Sequence, residues 1–239
     1  MNTQLTELAF VLDRSGSMSS LADAAIEGFN DFLREQQSAP GLARLTLALF
    51  DDEYLVPARS LPLAEVLPLD HESYVPRNST ALLDAIGRTV DELGARLAAM
   101  PERERPGKVI VAILTDGLEN ASVRYTWRDI AAKIRLQRDA YQWEFLFLGA
   151  NQDAIASAAQ IHIAAENAAT FRADKAGMKS SNDALSRKSR ALRALQAQGP
   201  GNVSPEIVRD AAAPMSDLVK EEDEKGRGDD KVNGDKVRG

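Results

Sequence analysis

The chain has no cysteine and only two histidines, His71 and His162, among 239 residues. That excludes zinc fingers, disulfide frameworks, cysteine nucleophiles and histidine-rich metal sites, and it weighs against a catalytic histidine. Aromatic residues make up 5% of the chain, so Ala, Leu, Val and Ile must fill any core. Long apolar runs are also missing. Leu8 to Leu12 stops at Asp13, far short of the roughly 20 residues of a membrane span, and no Lys or Arg precedes Arg14 as a signal peptide would require. A cytoplasmic protein without a membrane partner is expected. The formal net charge of -7 lacks the basic surplus of a phosphate-tracking surface, so no nucleic-acid partner is expected either. No P-loop, nucleophile elbow or Gly-x-Gly-x-x-Gly turn is present, and the chain is expected not to be an enzyme.

With 44% hydrophobic and 27% charged residues, the composition is that of a globular domain. Leu8 to Leu12 and Val109 to Leu114 are unbroken apolar runs, as in strands buried on both faces of a parallel sheet. Leu45, Leu47 and Leu49 alternate as a further strand, and Tyr54 to Ala58 can return antiparallel at an edge, where Pro57 is tolerated. Trp143 to Leu148 is another strand, and Ala169 to Phe171 a short one at the other edge. Between them lie helical patterns. Ser20 with Asp23 reads as a capping box for the first helix, Ser79-Thr80 as the start of the next, and Thr126 with Asp129 as a second capping box. Asn151 can cap a short helix, and Asp174 to Gln196 reads as the last long one. Its Lys175, Lys179, Arg187, Lys188, Arg190 and Arg193 are expected to form a solvated basic face. Alternating strands and helices imply an α/β fold: a doubly wound, mostly parallel central sheet with one short antiparallel edge strand and helices on both faces, Rossmann-like. The domain is expected over residues 1–197. Residues 198–239, Gly-rich and charge-mixed toward the end, are expected to form a flexible tail, with a short helix allowed around Pro205 to Asp210.

Both buried runs end in an Asp. Asp13-Arg14-Ser15-Gly16-Ser17 puts a carboxylate and two hydroxyls on one turn, and Thr115-Asp116-Gly117 follows the second run. In a doubly wound sheet both fall at the carboxyl edge, where ligands bind. Hydroxyl and carboxylate oxygens are hard ligands that suit Mg²⁺ or Mn²⁺, with Ca²⁺ behind them. Together with Thr80, these segments resemble the metal-ion-dependent adhesion site (MIDAS) of the von Willebrand factor A (VWA) family, in its prokaryotic stand-alone form. The pattern there is Asp-x-Ser-x-Ser, a distant Thr and a more distant Asp. The resemblance implies that Ser15, Ser17 and Thr80 ligate the metal through their hydroxyls, with Asp13 and Asp116 acting directly or through water. The sixth position is then filled by a carboxylate from a partner protein. Arg14, Met18, Asn78, Glu119, Asn120 and Asn151 are candidate rim residues.

The resemblance implies a metal-dependent protein-binding module, an adaptor in a bacterial multi-protein system linked to an AAA+ ATPase or to stress and tellurium resistance. Two alternatives come from other classes. A Mg²⁺-dependent phosphohydrolase of the haloacid-dehalogenase type also places an Asp after its first strand, but it needs a second Asp as acid/base where this chain has Ser15. A scaffold with a vestigial metal site would act through its last helix and tail.

Overall fold

The first strand, β1 (Asn2–Asp13), is apolar on both sides because both are covered: Leu8, Phe10 and Leu12 face one core while Ala9 and Val11 face another. The structure, a computed structural model, describes residues 1–150 and 154–236. In it β2 (Leu42–Phe50), β4 (Pro106–Thr115), β5 (Glu144–Gly149) and β6 (Ala168–Thr170) run parallel to β1, and β3 (Tyr54–Pro62) is antiparallel beside β2. The six strands lie in the order β3-β2-β1-β4-β5-β6. The mostly parallel, doubly wound sheet with one antiparallel edge is therefore as the sequence pattern predicts, and β3 extends four residues beyond Ala58.

One face carries α1 (Ala22–Ser38) and α5 (Lys175–Gln198), and the other carries α2 (Leu82–Ala99), α3 (Trp127–Tyr141) and α4 (Ala154–Gln160). On the first face Phe10 meets Phe29 and Phe32 edge-on, with ring centroids 5.5 and 5.0 Å apart, so the few aromatics are concentrated against the central strand. The chain winds outward from β1 through β2 and β3, then restarts at β4 on the other side of β1. The loops leaving β1 and β4 consequently part to opposite faces, which opens a crevice at their carboxyl ends.

The helix starts differ in part from the sequence reading. Thr126 and Asp129 form the expected reciprocal capping box. Ser20 caps nothing: a 3-10 turn (Gly16–Leu21) leads directly into α1, and no side chain caps its first turn. Ser79-Thr80 does not begin α2, whose first residue is Leu82. A Ser or Thr before an apolar period signals a hydroxyl available for capping, but the fold can aim that hydroxyl elsewhere. Asn151 lies outside the described residues.

The expected boundary at residue 197 is also corrected. Beyond Gly199 the chain forms α6 (Pro205–Ala212) and α7 (Met215–Lys236), and Met215, Leu218 and Val219 complete the core over α5 and β6. Lys175, Lys179 and Arg190 on the basic face of α5 are solvated as expected, but Arg187 and Lys188 form part of the docking surface for α6 and α7 and Arg193 is buried. Arg187, only 10% exposed, forks onto both Asp210 oxygens (2.6 and 2.7 Å) and reaches Glu221 (2.7 Å) and Glu222 (3.0 Å). Lys188 donates to the Ala213 carbonyl (2.5 Å), and Arg193 is buried on the Gln36 and Gly41 carbonyls. Three apolar side chains and one charge cluster are too sparse a signal to read as packed from composition alone.

Replacing Leu218 with Ala is expected to lower the unfolding free energy by about 2–4 kcal/mol in urea denaturation, the usual cost of a fully buried Leu. A change below about 0.5 kcal/mol would mean that α7 is not part of the core.

Candidate metal centre

Register delivers the site. Leu12 pairs with Leu114 across β1 and β4, so Asp13 and Thr115 are adjacent at the sheet edge. Thr115 Oγ1 donates to Asp13 Oδ2 (2.5 Å), and the Ser15 backbone N–H donates to Asp13 Oδ1 (2.7 Å). Tyr74, buried under the turn, donates its hydroxyl to the Asp13 carbonyl (2.6 Å). Asp13 is fully buried, and among the described residues no Lys, Arg or His pairs with it.

The turn that follows carries its hydroxyls toward Asp116. Ser15 Oγ lies 3.1 Å from Ser17 Oγ, which in turn donates to Asp116 Oδ1 (2.6 Å). Gly117 explains why Thr80 can join them: a Cβ there would sit 2.6 Å from Thr80 Oγ1 and 3.5 Å from Ser15 Oγ. Only a glycine leaves that space open. Asp13, Ser15, Ser17, Thr80 and Asp116 thus converge from three loops.

Each loop is pinned by backbone bonds. The Thr80 N–H donates to Asn120 Oδ1 (2.9 Å), and its carbonyl accepts from the Asn120 and Ala121 N–H groups. Glu119 accepts from the Leu83 N–H (2.9 Å), and Ser122 Oγ from the Asp84 N–H (3.0 Å), so the loop after β4 caps the start of α2. Asp84 answers by accepting from the Val123, Arg124 and Tyr125 N–H groups. The orphan donors at Leu83 and Asp84 in the first turn of α2 are therefore satisfied without using the Thr80 hydroxyl.

These contacts change the expected rim. Arg14 and Met18 are buried, and Glu119 and Asn120 are committed to the loop latch. Asn78 remains exposed and donates to Asp52 (2.9 Å). Sequence reasoning missed Thr115, Tyr74 and the Asp84 latch. Only Thr115 carried a signal, as the neighbour of Asp116. It also missed Leu118, which is 56% exposed immediately after Gly117.

The electrostatics are those of an acidic cavity short of positive charge. Burial pushes the Asp13 carboxyl from 3.8 up to about 6 against the bonds from Thr115 and Ser15, and Asp116 repels it further. Asp116 is also pushed up by burial, offset in part by Ser17. Among the described residues no three His, Cys, Asp or Glu side chains group as a metal cage. The donor set is two carboxylates and three hydroxyls, all hard oxygens, with a charge deficit that a divalent cation fits.

A doubly wound sheet with a polar loop site at its topological switch point defines a Rossmann-like α/β domain. No protein-family model and no curated protein matches the chain by sequence. Solved structures do match it by shape. Proximal thread matrix protein 1 from the mussel byssus, with a zinc-occupied MIDAS motif, superposes with a TM-score of 0.54 at 15% identity, over 77% of this chain and 46% of that one. The von Willebrand factor type A protein from Catenulispora acidiphila gives 0.51 at 17%, over 81% and 42%. The PilB minor pilin of Streptococcus sanguinis gives 0.58 at 11%, over 80% and 61%. The chain has the von Willebrand factor A fold, and it spans less than two thirds of the length of each of these proteins.

The raised Asp13 pKa sets a pH dependence. The folded state holds this proton more tightly than the unfolded chain does, so the metal-free fold is favoured at low pH. That advantage is lost as pH rises from about 4 through about 6, a difference worth about 3 kcal/mol. Asp13→Asn cannot ionise. It is expected to be more stable than the metal-free parent by about 1–3 kcal/mol at pH 7.5, with the gap closing below pH 4, in urea titrations across that range. A gap independent of pH would refute the assignment.

Proposed function

We propose that the chain is a metal-dependent protein-binding module without catalysis, in which Ser15, Ser17 and Thr80 offer hydroxyl oxygens to a divalent cation and Asp13 and Asp116 supply its counter-charge. The observation that carries this reading is the buried Asp13 carboxylate, without a cationic partner among the described residues, facing three converging hydroxyls and a second acid. A hard cation, Mg²⁺ or Mn²⁺, would supply a positive centre able to attract an external anion. The zinc-occupied MIDAS of the byssus protein supports a divalent ion in this fold without selecting which.

The chain's own residues then do two things. Both Asp13 oxygens already accept protein hydrogen bonds, which fixes the carboxylate behind the hydroxyls and keeps it away from solvent. The exposed Ser17, Gly16, Asn78 and Leu118 form the approachable rim. The ligand proposed for this opening is an Asp or Glu of a partner protein, with an apolar neighbour that can cover Leu118. A charge-assisted anchor of this kind contributes about 1.5–3 kcal/mol, so most of the affinity must come from the rim. The partner proposed from the resemblance is an AAA+ ATPase or a stress-system component, met in the cytoplasm. No helix among the described residues is long and apolar enough to cross a membrane.

Mn²⁺ titrated into metal-free protein is expected to raise the unfolding free energy by about 2.7 kcal/mol at 100 times its Kd. The response should vanish in the Ser15→Ala/Ser17→Ala double variant. In pull-downs, partner capture should require Mg²⁺ and be lost with EDTA. An unchanged denaturation curve at millimolar Mn²⁺ would sink the cation site. Capture indifferent to EDTA would sink the metal bridge.

A further inference from the structure

Beside the proposed cation site lies a second charged cluster that no step above uses. Asp51, at the end of β2, is fully buried and faces arginines from two different site loops. Arg77, from the loop that leads to Thr80, donates its Nε to Asp51 Oδ2 (2.7 Å). Arg14, which lies between Asp13 and Ser15, brings Nη2 to 3.2 Å from the same oxygen. That approach lacks hydrogen-bond alignment, and Arg14 Nε has no partner, so Arg14 is held mainly by Coulomb attraction in a buried setting. Asp51 Oδ1 accepts from the Glu53 N–H (2.6 Å), and the Asp51 carbonyl accepts from the Ala81 N–H (2.8 Å). Around it the Arg77 N–H donates to the Arg14 carbonyl (2.9 Å) and the Gly16 N–H to the Asn78 carbonyl (3.0 Å).

We infer that Asp51 is a positioning residue for the cation site: it ties the Ser15–Ser17 turn to the Thr80 loop and neutralises the buried Arg14 charge beside the site. The inference rests on the cation-binding reading. Two physical effects point the same way. Without the Asp51 carboxylate, the spacing between the turn hydroxyls and Thr80 would rest on backbone bonds and on exposed side-chain contacts, chiefly Glu53, which also pairs with Arg77 and lies 3.7 Å from Arg14. The Arg14 guanidinium, on the residue next to Ser15, would also keep only the longer contact to the solvent-exposed Glu53 (3.7 Å), leaving a poorly compensated charge that repels a cation. A purely structural ion pair predicts neither effect on cation binding.

The test is Mn²⁺ affinity measured by EPR on the full chain, alongside thermal unfolding, for the parent, Asp51→Asn, Arg77→Leu and a control, Glu7→Gln. Glu7 is also buried and paired, with Arg96 at 2.8 Å, but in the middle of β1, well before Asp13. Asp51→Asn is expected to weaken Mn²⁺ binding about 10- to 100-fold, the usual range for residues that support metal ligands, and Arg77→Leu by a smaller factor. Glu7→Gln is expected to lower stability without changing the affinity. Arg77 is partly exposed, so its variant decides the matter if Asp51→Asn does not fold. Parent protein that binds Mn²⁺ while Asp51→Asn and Arg77→Leu both stay within about twofold of it would overturn this inference alone. Parent protein that binds no Mn²⁺ would overturn the cation-binding reading and this inference with it.

Discussion

Asp13 is a carboxylate that the fold drives into the interior. It ends a strand covered on both faces, so its side chain leaves the sheet inside the crevice rather than in water. The nearest arginine in sequence, Arg14, turns the other way and pairs with Asp51. The site therefore begins with an uncompensated charge, and the surrounding groups are arranged around that fact. Thr115 and the Ser15 N–H hold the two oxygens, Tyr74 holds the carbonyl, and Asp116 adds a second negative charge close by. Buried ionisable groups left in this condition mark functional sites more often than structural ones, because an apolar side chain would stabilise the fold better.

The loops could not hold such a charge if they were independent. Connections at the carboxyl edge of a parallel sheet are where backbone order is cheapest to lose, yet here each site loop is bonded to another. The loop after β4 caps α2 through Glu119 and Ser122 and brackets Thr80 through Asn120. The β2–β3 turn braces both the Ser15 turn and the Thr80 loop. Glu119 and Asn120, read from sequence as part of a contact rim, are among these braces. Preorganisation of this kind lowers the entropy that a bound ligand must offset, and it locates specificity in the few side chains that remain exposed.

The central strands were legible because burial on both faces leaves no polar position to confuse the period, as in Leu8 to Leu12 and Val109 to Leu114. Asp13 and Asp116 were legible for the same reason: each is the first charge after such a run. Ser20, and Ser79-Thr80 as a helix start, were misread because a hydroxyl near a helix start looks the same whether or not it caps. The geometry that decides is non-local, since Asn120 and Glu119 arrive from 40 and 36 residues away. The α6–α7 segment was misread for a different reason. Its docking relies on Met215, Leu218 and Val219 plus the charges on Arg187, and in composition those charges weigh toward disorder. Only the partner surface on α5 turns them into an interface.

The cost of keeping Asp13 and the affinity proposed for the cation have the same origin. A proton and a cation answer one charge deficit, so they compete for it, and the proton wins only as pH falls toward the raised pKa of about 6. Near neutrality the metal-free site is ionised and unsatisfied, which is the condition in which a cation gains most. Hydroxyl ligands fit this balance better than further carboxylates would. A third or fourth buried acid would deepen the deficit beyond what marginal stability tolerates and would leave a bound divalent ion with no charge to offer outward. Two acids held behind three neutral oxygens would keep the empty fold viable and, in the proposed reading, a filled site receptive to an external carboxylate.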